Sequence, residues 1–127
     1  MLVILVRHAK AAAGQPDELR PLTTSGRQAA RLLGDLLAER NPDAVVSSPL
    51  LRARETAAAL AAAAGVEATV DERLAPGATG EGLRAAVAGL GETVVAVGHQ
   101  PDCSEIVLDL TGRDVSFPTA SFAEFEL

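Results

Sequence analysis

"VILVRHAKA" occupies Val3–Ala11. Leu2–Val6 is an unbroken apolar run of strand length, the pattern of a strand buried on both faces. Arg7, His8 and Lys10 follow at once, with only Ala9 among them. A core strand that ends in cationic groups suits an open α/β sheet, where ligands bind beyond the carboxyl ends of the strands.

The rest of the chain repeats the arrangement. Residues 9–22 read as a polar loop with Gly14, Pro16 and Pro21. Thr23 is an N-cap for a helix reaching about Arg40, with Leu32, Leu33, Leu36 and Leu37 on one face. Asn41-Pro42 stops it, and Ala44–Ser47 is a short strand. Ser48-Pro49, a cap followed by proline, opens a second helix that Gly65 ends. The Ala-rich run Ala57–Ala64 is read as part of that helix, not as a linker. Val66–Val70 is a third strand, followed by a Gly/Pro loop over 71–80. Leu83, Val87 and Leu90 mark a helix ending at Gly91. Thr93–Val97 is a strand rich in β-branched residues. Pro101 opens a last helix, with Cys103, Ile106 and Leu110 at helical spacing, and Gly112 closes it. Ala120–Glu126 alternates apolar and acidic residues as an edge strand does. The expected fold is a three-layer α/β/α sandwich. Its central sheet is mostly parallel, with an antiparallel edge strand, in a single domain over residues 1–127.

Composition limits what such a domain does. The chain has 127 residues, 48% hydrophobic, with three Phe and no Trp or Tyr. Ala, Leu and Val must build the core, and stacking of nucleic-acid bases has almost nothing to work with. The net charge of −6 also disfavours a nucleic-acid backbone. Residues 1–60 hold eight basic and six acidic groups, and 61–127 hold three and eleven, so an anion site draws on the first half. Cys103 is the only cysteine, which excludes an internal disulfide. Met1–Val6 has no basic n-region and is too short for a signal peptide or a membrane span. A complete cytoplasmic chain is expected, with no membrane and no obligate protein partner.

Three polar segments follow three strands: Arg7-His8, then Ser47-Ser48 with Arg52, then Gly98-His99. They deliver Arg7, His8, Arg52 and His99 to one edge of the sheet, and these are the only histidines in the chain. Guanidinium groups match phosphate with bidentate hydrogen bonds. Histidine is a nucleophile toward phosphorus. The neighbours of both histidines are Arg, Ala, Gly and Gln, not carboxylates or thiolates at ligand spacing, which argues against a metal site.

In order, these motifs identify a family. Val6–Ala9 resembles the Arg-His-Gly signature of the histidine phosphatase superfamily, the phosphoglycerate mutase-like proteins. Ser47–Thr56 ("SSPLLRARET") resembles its second motif, and Val97–Asp102 ("VGHQPD") its second histidine motif. Arg20–Gly26 ("RPLTTSG") and "LVRHAKA" point to the short SixA-like phosphohistidine phosphatase branch. Ala9 stands where the superfamily most often has Gly. The resemblance implies His8 as nucleophile, with Arg7, Arg52 and His99 binding the phosphoryl oxygens, and no metal or organic cofactor. Lys10 and Arg20 widen the positive rim or are plain solvated charges. Gln100 touches substrate or only leads into the helix at Pro101.

A second departure bears on the substrate. Many members carry a glutamate after a motif like "RL", where this chain has Leu74, Ala75 and Pro76. An alkoxide leaving group needs such an acid. An imidazole, with a conjugate-acid pKa of about 6.5, leaves neutral without one. Glu72, Glu81 and Asp17 are the remaining acids that could substitute, or are surface carboxylates. Without an insertion large enough for a lid, the pocket should be shallow and should admit a phosphorylated side chain of another protein. The expected activity is removal of phosphate from protein phosphohistidine. The alternatives are a small-molecule phosphomonoesterase and a non-catalytic phosphate-binding module.

Overall fold

A computed structural model describes all of residues 1–127. Five strands form one sheet: β1 (Leu2–Arg7), β2 (Ala44–Ser47), β3 (Ala68–Val70), β4 (Thr93–Gly98) and β5 (Phe122–Glu126). Their order is β3-β2-β4-β1-β5. All neighbours are parallel except β5, which runs antiparallel on the β1 edge. Four helices cover the sheet: α1 (Thr24–Ala38), α2 (Leu51–Ala64), α3 (Gly80–Val87) and α4 (Asp102–Thr111). The expected sandwich with one antiparallel edge strand is the observed fold.

Alternate side chains of the central strands feed two cores. Ile4, Val6, Val45, Val95 and Val97 pack with Leu33, Leu37, Ala53, Ala57 and Leu60 of α1 and α2. Val3, Leu5, Val46, Val94 and Ala96 pack with Leu83, Val87, Ile106 and Val107 of α3 and α4. Burial on both faces is why β1 and β4 read as unbroken apolar runs. The alanines of α2 let it approach α1 closely. A Cβ on Gly34 would stand 3.0 Å from the Ala59 carbonyl oxygen and 3.1 Å from the Ala63 Cβ.

Several expected boundaries move. Thr23 does cap α1, its hydroxyl accepting from the Gly26 amide at 2.9 Å. The second helix starts at Leu51, not at Ser48-Pro49, because the Ser48 hydroxyl accepts from the Leu50 amide and Leu50 stays extended. Val66 leaves the third strand because its amide bonds the Ala61 carbonyl and finishes α2, next to left-handed Gly65. The third helix ends at Val87, short of Gly91. The Asp43 carboxylate takes the Glu92 and Thr93 amides and draws the chain into β4. The loop at 9–22 holds a single 3-10 turn, Asp17–Leu19, and the loop at 71–80 holds another, Glu72–Leu74.

Candidate active site

Strand register brings the two histidines together. Arg7 pairs with Gly98 at the end of the β1–β4 ladder. The His8 amide extends it, donating to the Gly98 carbonyl at 3.1 Å. His8 and His99 therefore lie side by side, ring centroids 5.2 Å apart and planes tilted by 60°. The Ser48 amide extends the β2–β4 ladder to the Val97 carbonyl, which places Ser48 beside the same pair.

Each ring has a fixed tautomer. His8 Nδ1 lies 2.7 Å from the Ala9 carbonyl oxygen, which only accepts, so Nδ1 carries the hydrogen and Nε2 keeps its lone pair. Burial lowers the His8 pKa below its ordinary value, and Arg52, Arg7 and Arg20 reinforce this against the Ala9 bond. The nucleophilic neutral form is thus the resting form near pH 7. Burial also pushes His99 down, to about 4, with His8 and Arg52 adding to the effect. The Ser48 hydroxyl accepts from the Leu50 amide and sits 2.7 Å from His99 Nε2. The ring nitrogen is the one acceptor within its reach, so the hydroxyl donates there and His99 keeps its hydrogen on Nδ1.

Two buried side-chain nitrogens have no partner: His99 Nδ1 and Arg7 Nε. Buried donors are nearly always satisfied. Two orphans in one cationic cluster suit an anion with several acceptor oxygens. Arg7 is steadied from the other side, Nη1 donating to the Phe117 carbonyl at 2.9 Å, while the Ala120 amide closes on the Arg7 and His8 carbonyls.

Arg52, the second residue of α2, is buried. Its Nη1 donates to the Asp17 carbonyl at 2.9 Å, and its Nη2 lies 3.3 Å from Asp17 Oδ2. Arg20 reaches the same residue, Nη1 to Asp17 Oδ1 at 2.9 Å, with Nε on the Ala12 carbonyl. The Arg20 bond, with help from Arg52, holds the Asp17 carboxyl below the usual range. Asp17 is therefore ionised near neutrality and has no proton to give. Glu72 and Glu81 are exposed and make no bond to the cluster.

Other residues singled out from sequence fall into place around this group. Lys10 is exposed and makes no ion pair; its carbonyl takes the Thr23 amide and hydroxyl. The Gln100 amide is turned back on Ser104, accepting from its amide and donating to its hydroxyl, so it leads into α4. Thr56 donates to the Arg52 carbonyl and accepts from the Ala9 amide, tying α2 to the turn after His8. The Cys103 thiol is buried and pushed up to about 12, which makes it inert. Sequence reasoning missed the bridging role of Asp17 and the tautomer-setting role of Ser48. It also missed Asp102, whose buried carboxylate takes the Gly77 and Ala78 amides and holds the loop after Ala75-Pro76. The main surface concavities are lined by residues of other regions, and Arg7, His8, Arg52 and His99 line none of them.

Known proteins share this sequence pattern and this fold. A sequence model of the histidine phosphatase superfamily (branch 1) matches residues 3–88. An uncharacterised protein from Picosynechococcus sp. is 41% identical over 115 residues, 82% of this chain and 70% of its own length. The solved structure of the protein histidine phosphatase SixA in complex with tungstate superposes with a TM-score of 0.88 at 28% identity, covering 100% of this chain and 88% of that one. A phosphohistidine phosphatase SixA from Agrobacterium tumefaciens gives 0.82 at 31% identity, over 97% and 89%. A mycobacterial glucosyl-3-phosphoglycerate phosphatase with VO3 gives 0.78 at 21% identity, over 97% and 90%, a likeness of fold.

Proposed function

The chain belongs to the histidine phosphatase superfamily, branch 1, and from that premise we propose that it removes phosphate from phosphohistidine on another protein. The observation that carries the reading is the His8 Nδ1–H bond to Ala9, which leaves the Nε2 lone pair free on a ring beside His99, while His99 Nδ1 and Arg7 Nε are buried without partners. His8 Nε2 attacks phosphorus in line. The P–N bond of the substrate breaks, and its electron pair stays on the departing ring, which leaves as neutral imidazole because its other nitrogen carries a proton. Arg7, Arg52 and the His99 Nδ1–H hold the equatorial oxygens. Water then attacks the phosphorus on His8, and inorganic phosphate and neutral His8 are released.

The substrate class follows from the leaving group. One P–N bond is exchanged for another, so the first step is close to balanced in energy. No protonated carboxyl supports the departure of an alkoxide, since Asp17 is held as an anion between two arginines. The similarity to SixA phosphohistidine phosphatases supports the same class. A substrate panel tests it: phosphohistidine protein and nitrophenyl phosphate should be cleaved, and alkyl and sugar phosphates hardly at all. Fastest turnover of a sugar phosphate, stopped by Glu72→Gln or Glu81→Gln, would reveal a general acid and overturn the assignment.

A further inference from the structure

Arg52 and Arg20 come from α2 and from the loop after β1, and they meet on one residue. The Asp17 carboxylate spans them, and its carbonyl takes a further bond from Arg52. Arg52 is gripped end-on, through both terminal nitrogens. A guanidinium carries five N–H donors in a rigid fork. The Nε–H and the second hydrogens of Nη1 and Nη2 stay available to an oxyanion. The mount is itself braced: the Asp17 carbonyl also accepts from the Arg20 amide at 3.2 Å, and the Leu19 amide bonds the Pro16 carbonyl. The Ala12 amide and the Pro21 carbonyl close the loop across its base.

The Arg52 side chain is 9% exposed and that of Asp17 is 59% exposed. A pair whose anion is this open to solvent adds little to stability. What it fixes is direction. An arginine side chain has many rotamers, and donors stabilise a transition state only when they are already aimed. We propose that Asp17 is a positioning residue. Its carboxylate and carbonyl set Arg52 so that its free N–H groups fit the spread equatorial oxygens of a phosphoryl group in transfer better than those of bound phosphate. Asp17 touches neither substrate nor the transferred proton; it acts through Arg52.

This rests on the phosphatase reading but not on the phosphohistidine assignment. The test therefore uses probes that need no substrate. Orthovanadate takes up the five-coordinate shape of the transition state, and inorganic phosphate does not. Calorimetric affinities of both are measured on the full chain. Asp17→Asn should weaken orthovanadate about tenfold and change phosphate by less than about threefold, since only transition-state contacts are lost. Asp17→Glu should recover part of the loss. In an Arg52→Ala background, Asp17→Asn should have no further effect, the signature of coupled sites. Equal weakening of both anions, unchanged orthovanadate affinity, or additive effects in the double variant would overturn the proposal. Matching melting temperatures exclude a folding defect. A wild type that binds orthovanadate as described but leaves phosphohistidine intact would sink the substrate assignment alone.

Discussion

His8 and His99 are both buried, both surrounded by guanidinium charge and both depressed in pKa. Attack needs neutral His8, so turnover should fall on the acid side below pH 6.5, as His8 protonates. An acid limb centred above 6.5 in a pH–rate profile would contradict the burial argument. Stability should follow the same direction. The unfolded chain takes up protons on both rings near 6.5, while folded His99 resists until about 4. Acidification through that window therefore favours the unfolded state. Melting temperatures at pH 7 and pH 5 check this: the lower pH should melt earlier, and His99→Gln should flatten the dependence. Ser48 offers a separate test. Without its hydroxyl, His99 Nε2 loses its partner and the ring is free to change tautomer. Ser48→Ala should lower kcat about tenfold, on the scale of one lost buried hydrogen bond, with little change in KM. A change confined to KM would mean that Ser48 serves only binding.

Among the elements, α1 shows how a helix can be set by backbone contact. Its third residue, Gly26, faces the Lys10 carbonyl oxygen so closely that a Cβ there has no room. Thr23 binds the same carbonyl through its amide and hydroxyl. The start of α1 is thus docked on the turn that carries His8. Gly26→Ala gains helix propensity of about 1 kcal/mol but must push Lys10 aside, as overpacking does at about 1–3 kcal/mol. The expected net is destabilisation in urea unfolding, with a loss of activity beyond the fraction unfolded. A stabilised, fully active variant would show the contact to be slack. Strand and helix types were legible because β1 and β4 are buried on both faces and the helices carry caps such as Thr23. Boundaries were less so, because side chains decide them from a distance. Asp43 ends the segment after α3 by holding the Glu92 and Thr93 amides at the start of β4, and Ser48 delays α2 by capping Leu50. No local pattern announces such bonds.

For the whole molecule, the strand order explains why the site could be read before its geometry was known. Placing β4 between β1 and β2 brings the ends of three strands together, and each ends in a polar group. Position after a strand was therefore enough to expect Arg7, His8 and His99 at one edge of the sheet, with Arg52 one step into the next helix. Asp17 escaped that logic because it sits in a loop and reaches Arg52 only through tertiary folding, 35 residues apart in the chain. Gln100 is the opposite case. Its place beside His99 suggested a contact, but its amide is used by Ser104.

The central claim is that phosphate passes from a protein histidine onto His8 and then to water. Rapid quenching of the enzyme with a partner protein labelled on phosphohistidine tests it most directly. The account predicts a transient label on the enzyme, stable to base, lost in acid and mapped to position 8, with none formed by His8→Ala. Label on another residue, or wild-type rates of phosphate release by His8→Ala, would contradict it.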